Sequence, residues 1–209
     1  MSNIVRRSHV PVERHPDPVH VFRDIIHITH RSAGDNLKGP AAVMISKALL
    51  DLIAESPQSL ADHPSIKRIM EILGAISYSH IGVMYGSPSR RWTGSAESLE
   101  VGRDLAVEMV GPAEELRSVV AHAVDRAHPR ATETVRAEAA QAIASAVVVL
   151  MDSKAESITG ARSLEVIQEQ FRRLRESHRA ERERAALLAR AARDHARGLP
   201  RPRLEEWGL

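Results

Sequence analysis

The stretch SLEVIQEQFRRLRESHRAERERAALLARAARDHAR, Ser163 to Arg197, contains no glycine or proline and is rich in alanine, arginine, glutamate and leucine. Those residues lose little rotamer freedom in a helix, so the stretch predicts one long helix. At about 1.5 Å per residue it would reach roughly 50 Å, beyond the body of a compact domain of this size. Leu164, Ile167, Phe171 and Leu174 follow a three-four spacing, an apolar seam two heptads long that can pack on the body or on a copy of itself. Then the seam stops. Position 178 is histidine, 181 is glutamate, and Arg175 to Arg184 carries no large apolar residue. A helix polar all round needs ion pairs or a partner. Glu169 with Arg173, Arg172 with Glu176, and Arg179 with Glu183 are four residues apart and can support a solvated spacer. Leu187, Leu188 and Ala191 restore a short apolar patch before Gly198-Leu199-Pro200 ends the helix.

After the helix comes Pro200-Arg201-Pro202-Arg203-Leu204-Glu205-Glu206-Trp207. Tryptophan and arginine are favoured at binding hot spots, so Leu204 and Trp207 are expected to anchor in a groove of a second chain. Ahead of the helix lies an apolar-periodic body. Prolines 11, 16 and 18 keep residues 1–18 extended, because the residue before a proline avoids the helical region. Helices are then predicted over Val19 to Arg31, from Gly39-Pro40 to Glu55, and from Asp62-His63-Pro64 to about Gly86, where Ile66, Ile69, Met70, Leu73, Ile76, Ile81 and Met84 form the inward stripe. Gly74 and Gly82 are read as places where a neighbouring helix comes close. After the loop Gly86 to Gly94, a helix from Ala96 to Val110, a turn at Gly111-Pro112, a helix to about Ala127, and a last body helix from Thr132 to about Ser157 follow. No window alternates apolar and polar residues as a strand would.

The expected fold is therefore all-α: an irregular bundle of about six helices, then the long, partly exposed terminal helix and its Pro/Arg/Trp tail. The divisions are an arm (1–18), a body (19–158), the charged helix (159–198) and the tail (199–209). Only 3% of residues are aromatic, against 43% apolar, which fits close helix packing with small side chains. There is no cysteine, so disulfides and thiolate chemistry do not arise. The longest nearly uncharged apolar stretch, Ala139 to Met151, falls short of the roughly 20 residues a bilayer requires, and no membrane insertion is expected. We expect a cytoplasmic protein.

The formal charge is only +2, but its distribution is uneven: residues 161–209 hold twelve arginines and eight acids. That imbalance supports an alternative function in nucleic-acid association, with Arg90, Arg91, Arg172, Arg173 and Arg179 as phosphate contacts. Leu105 to Val120 also resembles a helix-turn-helix in outline, although Glu114 and Glu115 would face the phosphates. Eleven histidines raise a third class, a histidine-dependent metal protein or enzyme. His20, Asp24 and His27 share one helical face and His122, Asp125 and His128 another, yet both coincide with expected water-facing stripes. No nucleophile elbow, phosphate loop or metalloprotease pattern occurs, so no catalytic, cofactor or metal residue is assigned, no cofactor is expected, and we lean against an enzyme. The leading expectation is a non-enzymatic assembly protein, a homo-oligomer or a subunit of a larger complex. Its contacts would be Leu164, Ile167, Phe171, Leu174, Leu204 and Trp207.

Overall fold

The computed structural model describes the backbone of residues 15–31, 33–85, 97–152 and 158–196, and the side chains of 15–31, 33–76, 108–152, 162–193 and 196. These residues form six helices and no strand: α1 Pro18–Thr29, α2 Asp35–Glu55, α3 Pro64–Tyr85, α4 Glu97–Ala127, α5 Glu133–Asp152 and α6 Ile158–Ala196. The protein is an all-α bundle.

Local chemistry explains most boundaries. Asp17 caps α1, its carboxylate accepting from the Val19 amide at 3.0 Å, and Pro18 takes the first helical position, where no amide hydrogen bond is lost. α2 starts one turn earlier than Gly39-Pro40 suggests, with Gly34 as its N-cap and Pro40 inside the helix. The amides of Leu37 and Lys38 both bond to the Gly34 carbonyl, so the first turn forms without help from Pro40. Ser56, in a left-handed conformation at φ 40°, closes α2 by returning its amide to the Leu52 carbonyl at 2.9 Å.

The larger departure is α4. Gly111 and Pro112 lie inside one continuous helix, so the predicted pair of helices is single and the body has five helices before α6. Turn residues were outvoted here by packing. Leu116, Val119, Val120 and Val124 are all buried, and holding them on the core favours continuing the helix over the loss of one backbone bond at proline. The helix-turn-helix outline over Leu105 to Val120 is overturned with it, and Glu114 pairs with Arg117 one turn on instead of opening a new helix. Gly74 is also not a close-packing site, since a Cβ there would meet nothing within 4 Å.

The predicted stripes otherwise make the core. Phe22, Ile25 and Ile26 of α1, Ile45, Leu49, Leu52 and Ile53 of α2, and Ile66, Ile69, Leu73 and Ile76 of α3 are buried together. α1 packs on α2 and α4, α3 on α2, and α5 bridges α4 to α6. By length and composition α5 is apolar enough to cross a membrane, longer than the Ala139–Met151 run alone implies. In the bundle, however, its Ala139, Ile143, Val147, Leu150 and Met151 face the core between neighbours. Buried His30 pins α1 to the end of α5: its Nε2 lies 2.9 Å from the Met151 carbonyl, which only accepts, so that nitrogen carries the proton.

Candidate interaction site

α6 divides near residue 178 into a docked half and a projecting half. In the docked half Ile167, Phe171 and Leu174 are buried in the chain's own core, and Leu164 is half-buried against it. The seam assigned to a partner is thus filled by the body. The reason is proximity. α5 and α6 are joined by a short connection, so the small side chains of α5 meet the seam at a far higher effective concentration than another molecule offers.

Polar side chains of α6 hold the α2–α3 connection from the same face. The Gln168 side chain accepts from the Leu60 amide and donates to the Gln58 carbonyl, each at 3.4 Å. Arg175 donates to the carbonyls of Ser56 and Pro57, the latter at 2.7 Å, where the end of α2 presents its negative pole. On the α5 side Arg173 reaches Glu138 at 2.6 Å instead of pairing along its own helix with Glu169.

Ser56 and His128 meet beside Arg175. Each is followed by proline at the end of a helix, α2 in one case and α4 in the other, and packing brings the two ends together. Ser56 Oγ lies 2.7 Å from both the Ile53 carbonyl and His128 Nε2. The serine has one proton to donate. If it goes to the carbonyl, Nε2 of His128 is the donor to Oγ. His178 of α6 stands edge-on to His128 with ring centroids 6.0 Å apart, and its buried Nδ1 has no hydrogen-bond partner. Burial is the main influence holding the His128 pKa below 6.5, with further lowering from the positive potential of His178 and Arg175.

A serine 2.7 Å from a histidine has the separation of a nucleophile and its base, but Ser56 is 4% exposed and no substrate carbonyl can reach it. We assign it a structural role. Sequence patterning sets His128 on a water-facing stripe with His122 and Asp125; it is 7% exposed and turned into the core, because its amide still bonds to the Val124 carbonyl and it continues the buried row of Leu116, Val120 and Val124 just past the end of α4. The rest of that set separates, with Asp125 paired to Arg136 at 3.2 Å and His122 stacked on His15 at 4.3 Å between centroids. The α1 set separates too. His20 pairs with Asp17, and His27 Nδ1 lies 3.3 Å from the Lys38 ammonium, which only donates and so fixes that nitrogen as an acceptor. Among the described residues no three His, Asp or Glu side chains converge as metal ligands.

A cleft of about 660 Å3 opens between α1, α2 and α4. Asp17, Asp51, Arg126 and the His15–His122 stack rim an apolar floor of Leu50, Ala54 and Val119, with no nucleophile paired to a base.

Beyond His178, α6 leaves the body. Of the described side chains from Arg179 to Arg193 only Glu181 and Ala191 are half-buried, and Leu187 and Leu188 are 38% and 48% exposed. The predicted Arg172–Glu176 and Arg179–Glu183 pairs form at 2.7 and 2.8 Å, joined by Arg172–Glu169 and Arg184–Glu181. Hydrogen bonds to these carboxylates raise the pKa values of Arg172 and Arg179, and the bond from Arg172 lowers that of Glu169. Three arginines nominated for phosphate, Arg172, Arg173 and Arg179, are therefore already engaged by acids, and a nucleic acid would have to compete with those. Arg90, Arg91, Leu204 and Trp207 lie outside the described residues. The chain matches no family model, and comparison with curated proteins and with solved structures likewise returned no match.

Proposed function

We propose that this is a non-enzymatic assembly protein whose projecting half of α6 pairs with the same segment of a second copy. One observation carries the proposal: Leu187 and Leu188 sit exposed on a helix that has left its own body. Two arms of about 27 Å, from Arg179 to Ala196 at 1.5 Å per residue, offer a long helical surface for pairing. Arg179, Glu181, Arg182, Glu183 and Arg184 lie near the body, Arg190 and Arg193 lie toward the tip, and the leucines fall between them. An antiparallel pair centred on the leucines buries them against each other and keeps the two arginine-bearing tips apart. Such a twofold contact is self-complementary, as a homodimer requires.

A second copy presents the same exposed leucine pair in a self-complementary arrangement, so it is the simplest occupant. In this proposal the protein works in the cytoplasm and needs no cofactor. Phosphate binding is not required by it, and the acids already engaged by Arg172, Arg173 and Arg179 oppose it.

Light scattering on the chain and on the variant L187E/L188E tests the pairing. The unaltered chain should run at twice its 23.0 kDa mass, and the variant at the monomer mass with an unchanged circular-dichroism spectrum. A monomeric unaltered chain, or a variant that stays dimeric, would overturn the proposal. Truncation at Gly160 is not a clean alternative, because it removes Ile167, Phe171 and Leu174 from the core.

A further inference from the structure

The place where α6 leaves the body is built from bases. His128 at the end of α4, with His178 and Arg175 on α6, gather around the closing turn of α2. The groups that face His128 can be named from each side. From α6 they are His178 and Arg175; from α2 it is the uncharged Ser56. On its own helix Asp125 and Arg126 precede it, and the charge of Asp125 is already met by Arg136 of α5. No carboxylate among these is left to balance a second positive charge. Arg175 is committed to the Ser56 and Pro57 carbonyls, and the buried Nδ1 of His178 has no hydrogen-bond partner, so a charge gained by His128 would meet no acceptor on the facing helix.

We infer that the His128–His178–Arg175 junction is a proton-sensitive latch that holds α6 on the body at neutral pH and loosens it on acidification. Hydrogen bonding alone does not oppose protonation of His128, because its Nε2 can donate to Ser56 Oγ in either state. Opposition comes from burial and from like charge on the facing helix. The direction follows from linkage. Burial and its neighbours lower the pKa of His128 in the docked state, so the released state binds the proton more readily. The stabilisation of docking is fully present above the ordinary value near 6.5 and is lost progressively as pH falls below it. What loosening uncovers is specific: Ile167, Phe171 and Leu174, the seam that α5 covers when α6 is docked.

This latch concerns the contact between α6 and its own body, and it holds whether or not two copies pair. It is therefore tested in the L187E/L188E chain as well as in the unaltered one. Hydrogen exchange of α6 amides, corrected for the intrinsic effect of pH on exchange, is followed from pH 7.5 to pH 5.0. We expect protection of α6 to fall severalfold below about pH 6.5 while α1 and α2 hold theirs, with a parallel rise in binding of an apolar dye. H128Q keeps a neutral hydrogen-bonding group and should flatten this pH response. Where H128Q fails to fold, H128N provides the same test by placing a shorter neutral amide at that position. Protection of α6 that does not change with pH, or a decline equally steep in a folded variant of either kind, overturns the latch.

Discussion

Phe171→Ala is expected to cost about 3–5 kcal/mol of folding stability, the usual penalty for emptying a fully buried phenylalanine site. Phe171 has no solvent exposure and sits between Ile167 and Leu174 in the α5–α6 contact. The buried face of α5 carries Ala139, Ala140, Ala144 and Ala146, short side chains that have little reach to refill the space. The loss should therefore lie in the upper part of that range. Urea unfolding of F171A in the L187E/L188E background separates this effect from association, which would otherwise add a concentration-dependent contribution. If the seam served a partner chain instead, F171A would lower the oligomer mass and leave the monomer nearly as stable. A loss below about 1 kcal/mol would show that Phe171 does not belong to the core.

The same residue shows why the terminal helix was only partly legible in sequence. Spacing identifies Leu164, Ile167, Phe171 and Leu174 as one face, and the structure keeps them on one face. Spacing does not say what covers that face. Ser163 and Gln170 are buried there as well, because α6 lies against both α5 and the α2–α3 connection and its covered surface is wider than a heptad seam. Charge pairing was legible where it is local. Arg172–Glu176 and Arg179–Glu183 follow from four-residue spacing, whereas Arg173 leaves its expected partner for Glu138 on another helix.

The Ser56–His128 junction was the least visible. Its parts are 72 residues apart, and in sequence each is only a polar residue before a proline at a helix end. A usable signal existed in retrospect: two such ends, each with a hydrogen-bonding side chain, need partners when packing buries them. His178 gave another hint, since a histidine at the point where an apolar seam stops marks the edge of the docked surface. Proline misled in the opposite direction at Gly111-Pro112, where local preference favoured a turn and the buried stripe of Leu116, Val119, Val120 and Val124 required a helix.

The helix through Gly111-Pro112 makes the second large prediction. In a continuous α4 the ring of Pro112 removes the bond that its amide would give to the Glu108 carbonyl, at a cost of about 3 kcal/mol against alanine in a helix interior. Gly111 adds roughly 0.8–1 kcal/mol for its excess freedom in the unfolded chain. A Cβ at Gly111 would meet nothing within 4 Å, so alanine fits without strain. Proline also stiffens the unfolded chain, which offsets about 0.4–1 kcal/mol of the gain. G111A/P112A is therefore expected to raise stability by about 3 kcal/mol, read as a higher urea midpoint with an unchanged slope, and to leave the oligomer mass as it was. A turn would respond in the opposite sense, because glycine and proline are the residues that preorganise one. A fall in stability on this substitution would restore the separate helices on either side of Gly111-Pro112, and with them the helix-turn-helix geometry that the continuous α4 excludes.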